Sequence, residues 1–339
     1  MSSTAKIFKM IDALTYNGKG TENQSAFPDE FVNICKMTQN ALKSYLSEKL
    51  SEYYETVIEN DGYIYAPGSS PVALTAHMDT VHKYPVVQYW GNVNDKGQHI
   101  ISSSEGIGGD DRCGVFMILE ILRTTVFRPT IIFCEDEEIG GVGSEKFIKD
   151  NIELNDVRFF IELDRANGND LVFYEDDNED FQTWCEDITG YVTNFGSFSD
   201  ISNFCPVYGI SGVNISCGYY NPHTVNEYVV LEEMEASIMA AIKLIDAASE
   251  LEEPFEYIEY TYAHYRDGRY MGWNDIYDYD SVRSNKNKFM TEVVFYYNNS
   301  YLEEVNEVVS SESVLGAIGM FMTEHPDLRW ADVLDYEIL

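Results

Sequence analysis

Positive charge is scarce in this sequence. Its 339 residues hold 22 Lys and Arg against 58 Asp and Glu, a formal charge of −36. There is no basic stripe to displace counterions, which excludes nucleic acid as a partner, and an anionic membrane surface falls on the same ground. Long apolar runs are missing too. None approaches the roughly 18 residues that a membrane span needs, and Met1-Ser2-Ser3-Thr4-Ala5-Lys6 carries no leader-type apolar region. Cysteine is sparse, at positions 35, 113, 134, 185, 205 and 217, with no C-x-x-C. Scattered cysteines fit free thiols in a reducing compartment, so a cytoplasmic protein is expected. The acidity itself reads as solubility. What is present is 45% hydrophobic and 14% aromatic residues, enough for a sizeable core in one large domain with an addition, or in two domains.

In chain order, residues 5–14 show helical spacing, and Pro28 opens an expected long helix with Phe31, Ile34, Leu42, Tyr45 and Leu46 on its apolar face. Asn60-Asp61-Gly62 between two Tyr- and Ile-rich runs signals a hairpin. From Val72 to Ala248 strands and helices alternate. Strands are expected at 72–76, 86–90, 130–134, 158–163, 171–174 and 213–216, and helices at 112–122, 144–151 and 230–248. The pattern predicts an α/β fold, a mostly parallel sheet covered by helices in three layers, with ligands bound beyond the carboxyl ends of the strands. After residue 252 the chain turns acidic and Tyr-rich and the alternation stops. Residues 289–297 read as a strand, and 313–323 and 328–334 as helices. The expected division is therefore a catalytic-type domain over 1–251 and an α+β appendage over 252–339.

The chemistry sits at strand ends. Val72–Ala76 runs into His77-Met78-Asp79, where an imidazole can ligate a cation and a nearby carboxylate can fix its tautomer. Gly106-Ile107-Gly108-Gly109-Asp110-Asp111-Arg112-Cys113-Gly114 precedes a helix. Asp111 reads there as the helix cap, leaving Asp110 as a ligand whose carboxylate could bridge two cations. Glu135-Asp136-Glu137-Glu138 follows a buried strand, and four adjacent acids repel one another unless something cationic offsets them. One can bind metal while its neighbour stays free as a base. Asp164 ends another strand, and His223 lies in the loop Asn221–Glu227. His77, Asp110, Glu138, Asp164 and His223 form an N/O set suited to zinc or a similar divalent ion, with Glu137 left over.

The ordered motifs H-M-D-T-V, G-G-D-D-x-x-G, E-D-E-E-I-G, L-D and P-H-T-x-x-E resemble the co-catalytic di-zinc exopeptidase clan over residues 55–248. That clan includes peptidase T, carboxypeptidase G, the aminoacylases and the bacterial zinc aminopeptidases. The resemblance implies two divalent metals, zinc or else cobalt or manganese, bridged by Asp110. His77 and Asp164 would complete one site, and Glu138 and His223 the other. Asp79 would orient His77, and Glu137 would be the general base. Ser199 and Asp200 resemble the clan's S-D segment near the pocket, and with Gly218 and Tyr219 they are candidate substrate contacts. The implied function is a metallo-exopeptidase acting on a small peptide or an N-acyl amino acid.

Two departures stand out. Asp164 and His223 are 59 residues apart, and His77 and Asp110 are 33 apart. Neither interval has room for the lid or dimerisation insert of many clan members, so a minimal catalytic domain is expected and the oligomeric state is left open. The missing lid and the unfamiliar tail also motivate an alternative, a non-catalytic binding or assembly protein that retains the fold. The complete ligand set argues against it.

Overall fold

The computed structural model describes residues 27–259 continuously, and beyond them the strands 264–266, 269–271, 291–298, 304–311 and 333–338. The chain divides into two compact units, Met1–Tyr260 and Thr261–Leu339.

The first unit is built on an eight-stranded sheet. In chain order its elements are α1 (Asp29–Cys35), α2 (Gln39–Leu50), β1 (Ile58–Asn60), β2 (Tyr63–Ala66) and β3 (Val72–His77). There follow β4 (Trp90–Val93), β5 (His99–Ser102), α3 (Gly109–Thr124), β6 (Thr130–Cys134), α4 (Val142–Lys149) and β7 (Phe159–Arg165). Then come β8 (Asp170–Val172), α5 (Glu179–Thr189), β9 (Val192–Thr193), α6 (Asp200–Tyr208), β10 (Gly212–Ser216), β11 (Tyr219–Tyr220), β12 (Tyr228–Val230) and α7 (Leu231–Ala248). The order across the sheet is β1-β2-β6-β3-β7-β10-β8-β9. Its centre, β6-β3-β7-β10, is parallel, and antiparallel pairs occur at β1–β2, β2–β6 and β10–β8.

Both faces of the sheet are buried, which is why its strands read as unbroken apolar runs rather than as alternation. Alternation survives in where the side chains go. Phe159 and Ile161 join the core beneath α1, α2, α3, α5 and α7, while Phe160 between them joins a second cluster beneath α4 and α6. The second cluster is centred on Phe147, whose ring meets Tyr63, Tyr65 and Phe204 edge to face at 5.0–5.5 Å. The result is the expected three-layer α/β architecture. Among the described residues no helix is long and apolar enough to cross a membrane, and all six cysteines are free and buried.

Several local expectations are corrected. The helix expected from Pro28 is two helices. The chain breaks at Lys36–Thr38, where Thr38 caps α2 by accepting the Ala41 N–H. The strand expected over 86–90 lies instead at Trp90–Val93. It pairs with β5 through the turn Asn94–Gly97, whose Asn94 side chain bonds Lys96 and Gln98. With β11 and β12 this hairpin forms a separate four-stranded sheet, β11-β12-β5-β4. Helices α5 and α6 were not anticipated. Pro206 masks α6 in the sequence, although a proline this close to a helix end is tolerable when the neighbouring structure holds it. The interval between Asp164 and His223 is used up by β8, α5, β9, α6, β10 and β11, and that between His77 and Asp110 by the β4–β5 hairpin.

Residues 254–259 still belong to the first unit: Phe255 donates to Arg158 O, and Ile210 and Asp176 bridge Glu256 and Glu259. In the second unit β13 (His264–Arg266) pairs with β14 (Arg269–Met271). β15 (Thr291–Asn298) lies between β16 (Glu304–Ser311) and β17 (Val333–Ile338), all antiparallel. The helix expected at 5–14, that at 313–323 and most of that at 328–334 lie outside the described residues, and residues 333–334 open β17 instead.

Candidate metal centre

The centre forms where the parallel strands end. His77 is the last residue of β3, Glu137 and Glu138 sit in the turn after β6, and Asp164 is near the end of β7. Asp110 stands at the start of α3, before the regular helix, in extended backbone (φ −82°, ψ 101°). Gly114 explains the last position of its motif: a Cβ there would lie 1.7 Å from the Leu163 carbonyl, so only glycine lets α3 seat this close to β7. His223 comes from the loop between β11 and β12, in the left-handed region at φ 62°.

These residues converge. His77 Nε2 lies 3.1 Å from Asp110 Oδ1, 3.5 Å from Asp164 Oδ1 and 4.0 Å from Glu137 Oε2. His223 Nε2 lies 3.2 Å from Asp110 Oδ2 and 3.0 Å from Glu138 Oε2. Asp110 thus turns one oxygen to each histidine. Glu138 keeps its other oxygen, Oε1, buried and without a partner. His77, Asp110 and Glu138, and likewise His77, Asp111 and Asp164, bring ligand atoms within 4.8 Å of one another. An orphaned carboxylate oxygen among two imidazoles and further carboxylates fits a divalent cation with N/O preference.

The electrostatics agree. Burial works against a charged His77, yet Asp164, Asp110 and Asp79 together hold its pKa well above the ordinary range. His223 is pushed up to about 10 by its bonds to Asp110 and Glu138. Burial raises Glu137 to about 9, with Asp164, Asp200 and Glu138 adding to it against His77. Burial likewise raises Asp164 to about 6. A field that retains protons on two imidazoles and a carboxyl also draws divalent cations, in competition with those protons.

Around the ligands lies a layer of fixed partners. Asp79 accepts from His77 Nδ1 at 3.1 Å and from the N–H groups of Glu137 and Glu138 at 3.0 Å each. It holds the imidazole and the carboxylate turn together. Asp111 is the helix cap, accepting from Gly114 N at 2.9 Å, and its other oxygen accepts from His77 N. Ser199 and Tyr219 both reach Asp164: Ser199 Oγ donates to Oδ2 at 2.8 Å, and Tyr219 OH to the backbone O at 2.9 Å. Asp200 is wholly buried, and Gly218 packs against the start of α7, where a Cβ would meet Met234 N at 2.7 Å.

Sequence reasoning missed two groups. Glu227, fully buried, accepts from Gly108 N at 2.7 Å, Asp110 N at 3.0 Å and His82 Nε2 at 2.9 Å. It pins the loop that presents Asp110. Its signal was its place four residues after His223. Glu162, wholly buried in β7, was signalled by a charge inside an apolar run, and it accepts the Ile201 N–H at 3.4 Å.

Two histidines and three carboxylates, one of them facing both histidines, thus converge where the strands of a mostly parallel sheet end, a donor set that fits divalent cations. Residues 63–203 match the model of peptidase family M28, a span that takes in His77, Asp110, Glu137, Glu138 and Asp164 and stops short of His223. Among solved structures, the chain is similar to a tripeptidase from Staphylococcus aureus, with TM-score 0.53, 14% identity, 65% of this chain and 97% of that one covered. It is also similar to the aminopeptidase PepT from Bacillus cereus, with TM-score 0.54, 15% identity, and 66% and 98% covered. At these identities the likeness is one of fold. No curated protein matches the chain.

Proposed function

We propose that the chain hydrolyses the terminal peptide or amide bond of a small substrate, with Glu137 as the general base beside residues that would hold two divalent cations able to activate water. The observation that carries this reading is the Asp110 carboxylate, one oxygen 3.1 Å from His77 and the other 3.2 Å from His223. His77, Asp164 and Asp110 would hold one cation, and His223, Glu138 and Asp110 the other, with zinc the best match and cobalt or manganese workable. When bound, the cations supply Lewis acidity that polarises the scissile carbonyl and acidifies water.

The protein's own groups do the rest. Glu137 is half-buried with its Oε2 4.0 Å from His77 Nε2, and its turn is fixed by the two N–H bonds to Asp79. A carboxyl whose surroundings favour its proton is suited to take one from the attacking water and pass it to the leaving amine. Asp79 sets the His77 ring so that Nε2 faces the centre. Ser199 and Tyr219 keep Asp164 from turning away, a positioning role rather than direct substrate contact. The catalytic unit is the first part of the chain, and the 252–339 region has no assigned part in the reaction.

The test is mass-spectrometric profiling of a diverse peptide mixture with added zinc or cobalt, wild type against Glu137→Gln. Trimming of peptide ends by the wild type alone is expected, the trimmed end reporting amino- or carboxypeptidase action. Equal trimming by both proteins would remove Glu137 from the mechanism. Absence of trimming and of N-acyl amino acid hydrolysis would overturn the hydrolase reading.

A further inference from the structure

Glu135-Asp136-Glu137-Glu138 places four acids in succession, and such a run is costly without positive charge beside it. Its second half faces the histidines, Glu137 Oε2 at 4.0 Å from His77 Nε2 and Glu138 Oε2 at 3.0 Å from His223 Nε2. Its first half meets α2. Lys43 Nζ lies 2.5 Å from Glu135 Oε2 and donates to the Asn60 carbonyl at 2.6 Å. Gln39 Nε2 donates to Asp136 Oδ1 at 3.2 Å and to Glu135 Oε1 at 3.4 Å. Glu135 Oε2 accepts the Gly62 N–H as well, at 2.9 Å.

Gln39 and Lys43 stand four residues apart, so one face of α2 presents both to the turn. The Lys43 and Glu135 side chains are only 12% and 11% exposed. A pair so enclosed is screened little by solvent, and removing one partner leaves the other charge buried and unopposed. Asp136 lies in the left-handed region at φ 60°, where a non-glycine residue persists only when its surroundings hold it. At its far end the turn is fixed by Asp79, which accepts the Glu137 and Glu138 N–H groups. The two anchors differ in origin. Asp79 falls within residues 63–203, the span that matches family M28, whereas α2 lies before it.

We propose that α2 clamps this turn and that Lys43, assisted by Gln39, is a positioning residue for Glu137 and Glu138. Lys43 acts through Glu135. It fixes one end of the turn as Asp79 fixes the other, so the two working carboxylates are held between anchors. Its ammonium also gives the run of four acids a resident positive charge that does not depend on bound cations. The part concerning Glu137 rests on the hydrolase reading, while the part concerning Glu138 rests on metal binding alone.

Full-length protein loaded with cobalt provides the test, because the visible absorption of cobalt(II) follows its ligand geometry. Lys43→Met, which removes the charge at nearly constant length, is set against wild type and Lys43→Arg. The cobalt spectrum, zinc affinity by chelator competition, and the unfolding temperature of the metal-free protein are measured for each. Lys43→Met should alter the spectrum and weaken zinc binding by about 10–100-fold, and Lys43→Arg should restore much of both. Gln39→Ala, at a half-buried position, should shift the spectrum in the same direction by less. In peptide trimming, Lys43→Met should lower kcat and leave KM unchanged. A lower unfolding temperature with spectrum and zinc affinity as in wild type would reduce Lys43 to a structural ion pair and overturn the proposal. Should Lys43→Met fail to fold, an unmoved spectrum in Gln39→Ala would overturn it equally. A shifted spectrum in a protein that hydrolyses no peptide or N-acyl amino acid would keep the clamp on Glu138 and sink the hydrolase reading.

Discussion

The two histidines of the centre are held in opposite ways. His77 ends a fully buried strand, has a side chain 1% exposed, and is enclosed by Asp79, Asp110, Asp164 and Glu137. His223 sits in a loop with left-handed backbone, has a side chain 56% exposed, and is paired with Asp110 and Glu138. The difference teaches that the centre has a built-in half and an accessible half. The first belongs to the sheet and cannot move without it, while the second is a loop laid against a preset carboxylate pair. Asp110 joins them.

Breaking the joint should have the largest effect. Asp110→Ala is expected to lose both cations and all activity, read as metal content of the purified protein. Retention of two equivalents would show that the halves are independent. Glu137→Gln, which removes no proposed ligand, should cut kcat by about 10²–10⁴-fold with the metal content unchanged. A variant that lost its metals would make Glu137 a ligand instead.

The histidines themselves sharpen the contrast. His77→Ala removes the imidazole that faces Asp79, Asp110 and Asp164, and breaking such a largely buried pair costs roughly 3–5 kcal/mol, so thermal unfolding without metal should move down sharply. His223→Ala should leave that transition nearly in place and lose one cation only. Equal destabilisation by the two would contradict the built-in versus accessible distinction. Glu227→Gln, which loosens the loop presenting Asp110, should weaken metal affinity by about 10–100-fold at both sites. An effect confined to one would mean that it holds His82 rather than Asp110.

The smallest effect is in pH. Glu137 rises from 4.5 to about 9 on folding, so its contribution to stability is full below pH 4.5 and is lost as pH climbs through about 9. His223 rises from 6.5 to about 10, full below 6.5 and lost as pH passes about 10. Asp110 is lowered, so its share is present above 3.8 and is lost on acidification. Metal-free protein should therefore be most stable in mildly acidic solution and weaken toward pH 9. Added zinc should raise the unfolding temperature most at the alkaline end, where the competing protons have left. A zinc effect larger at pH 5 than at pH 9 would reverse the assignment.

The sequence by itself determined the candidate ligand set and most of the frame. His77, Glu137, Glu138 and Asp164 stood out as candidates because they follow buried apolar strands, and Asp110 and His223 because they lie in loops beside them, and the structure brings the six side chains together. Strand β6 was legible to the residue, as a run of five buried positions of which four are apolar. Only the tertiary structure decided what holds those groups in place. Glu227 reaches Gly108 and Asp110 from 119 and 117 residues away, and Ser199 reaches Asp164 from 35. Local periodicity carries no information about such pairings, since they exist only once β7, α3 and the β11–β12 loop have been brought to one edge of the sheet. The same holds for Arg112. In the sequence it is an ordinary basic residue in the first turn of a helix, and only the fold shows that it is enclosed with Nη2 on the Met37 carbonyl and no anionic partner among the described residues.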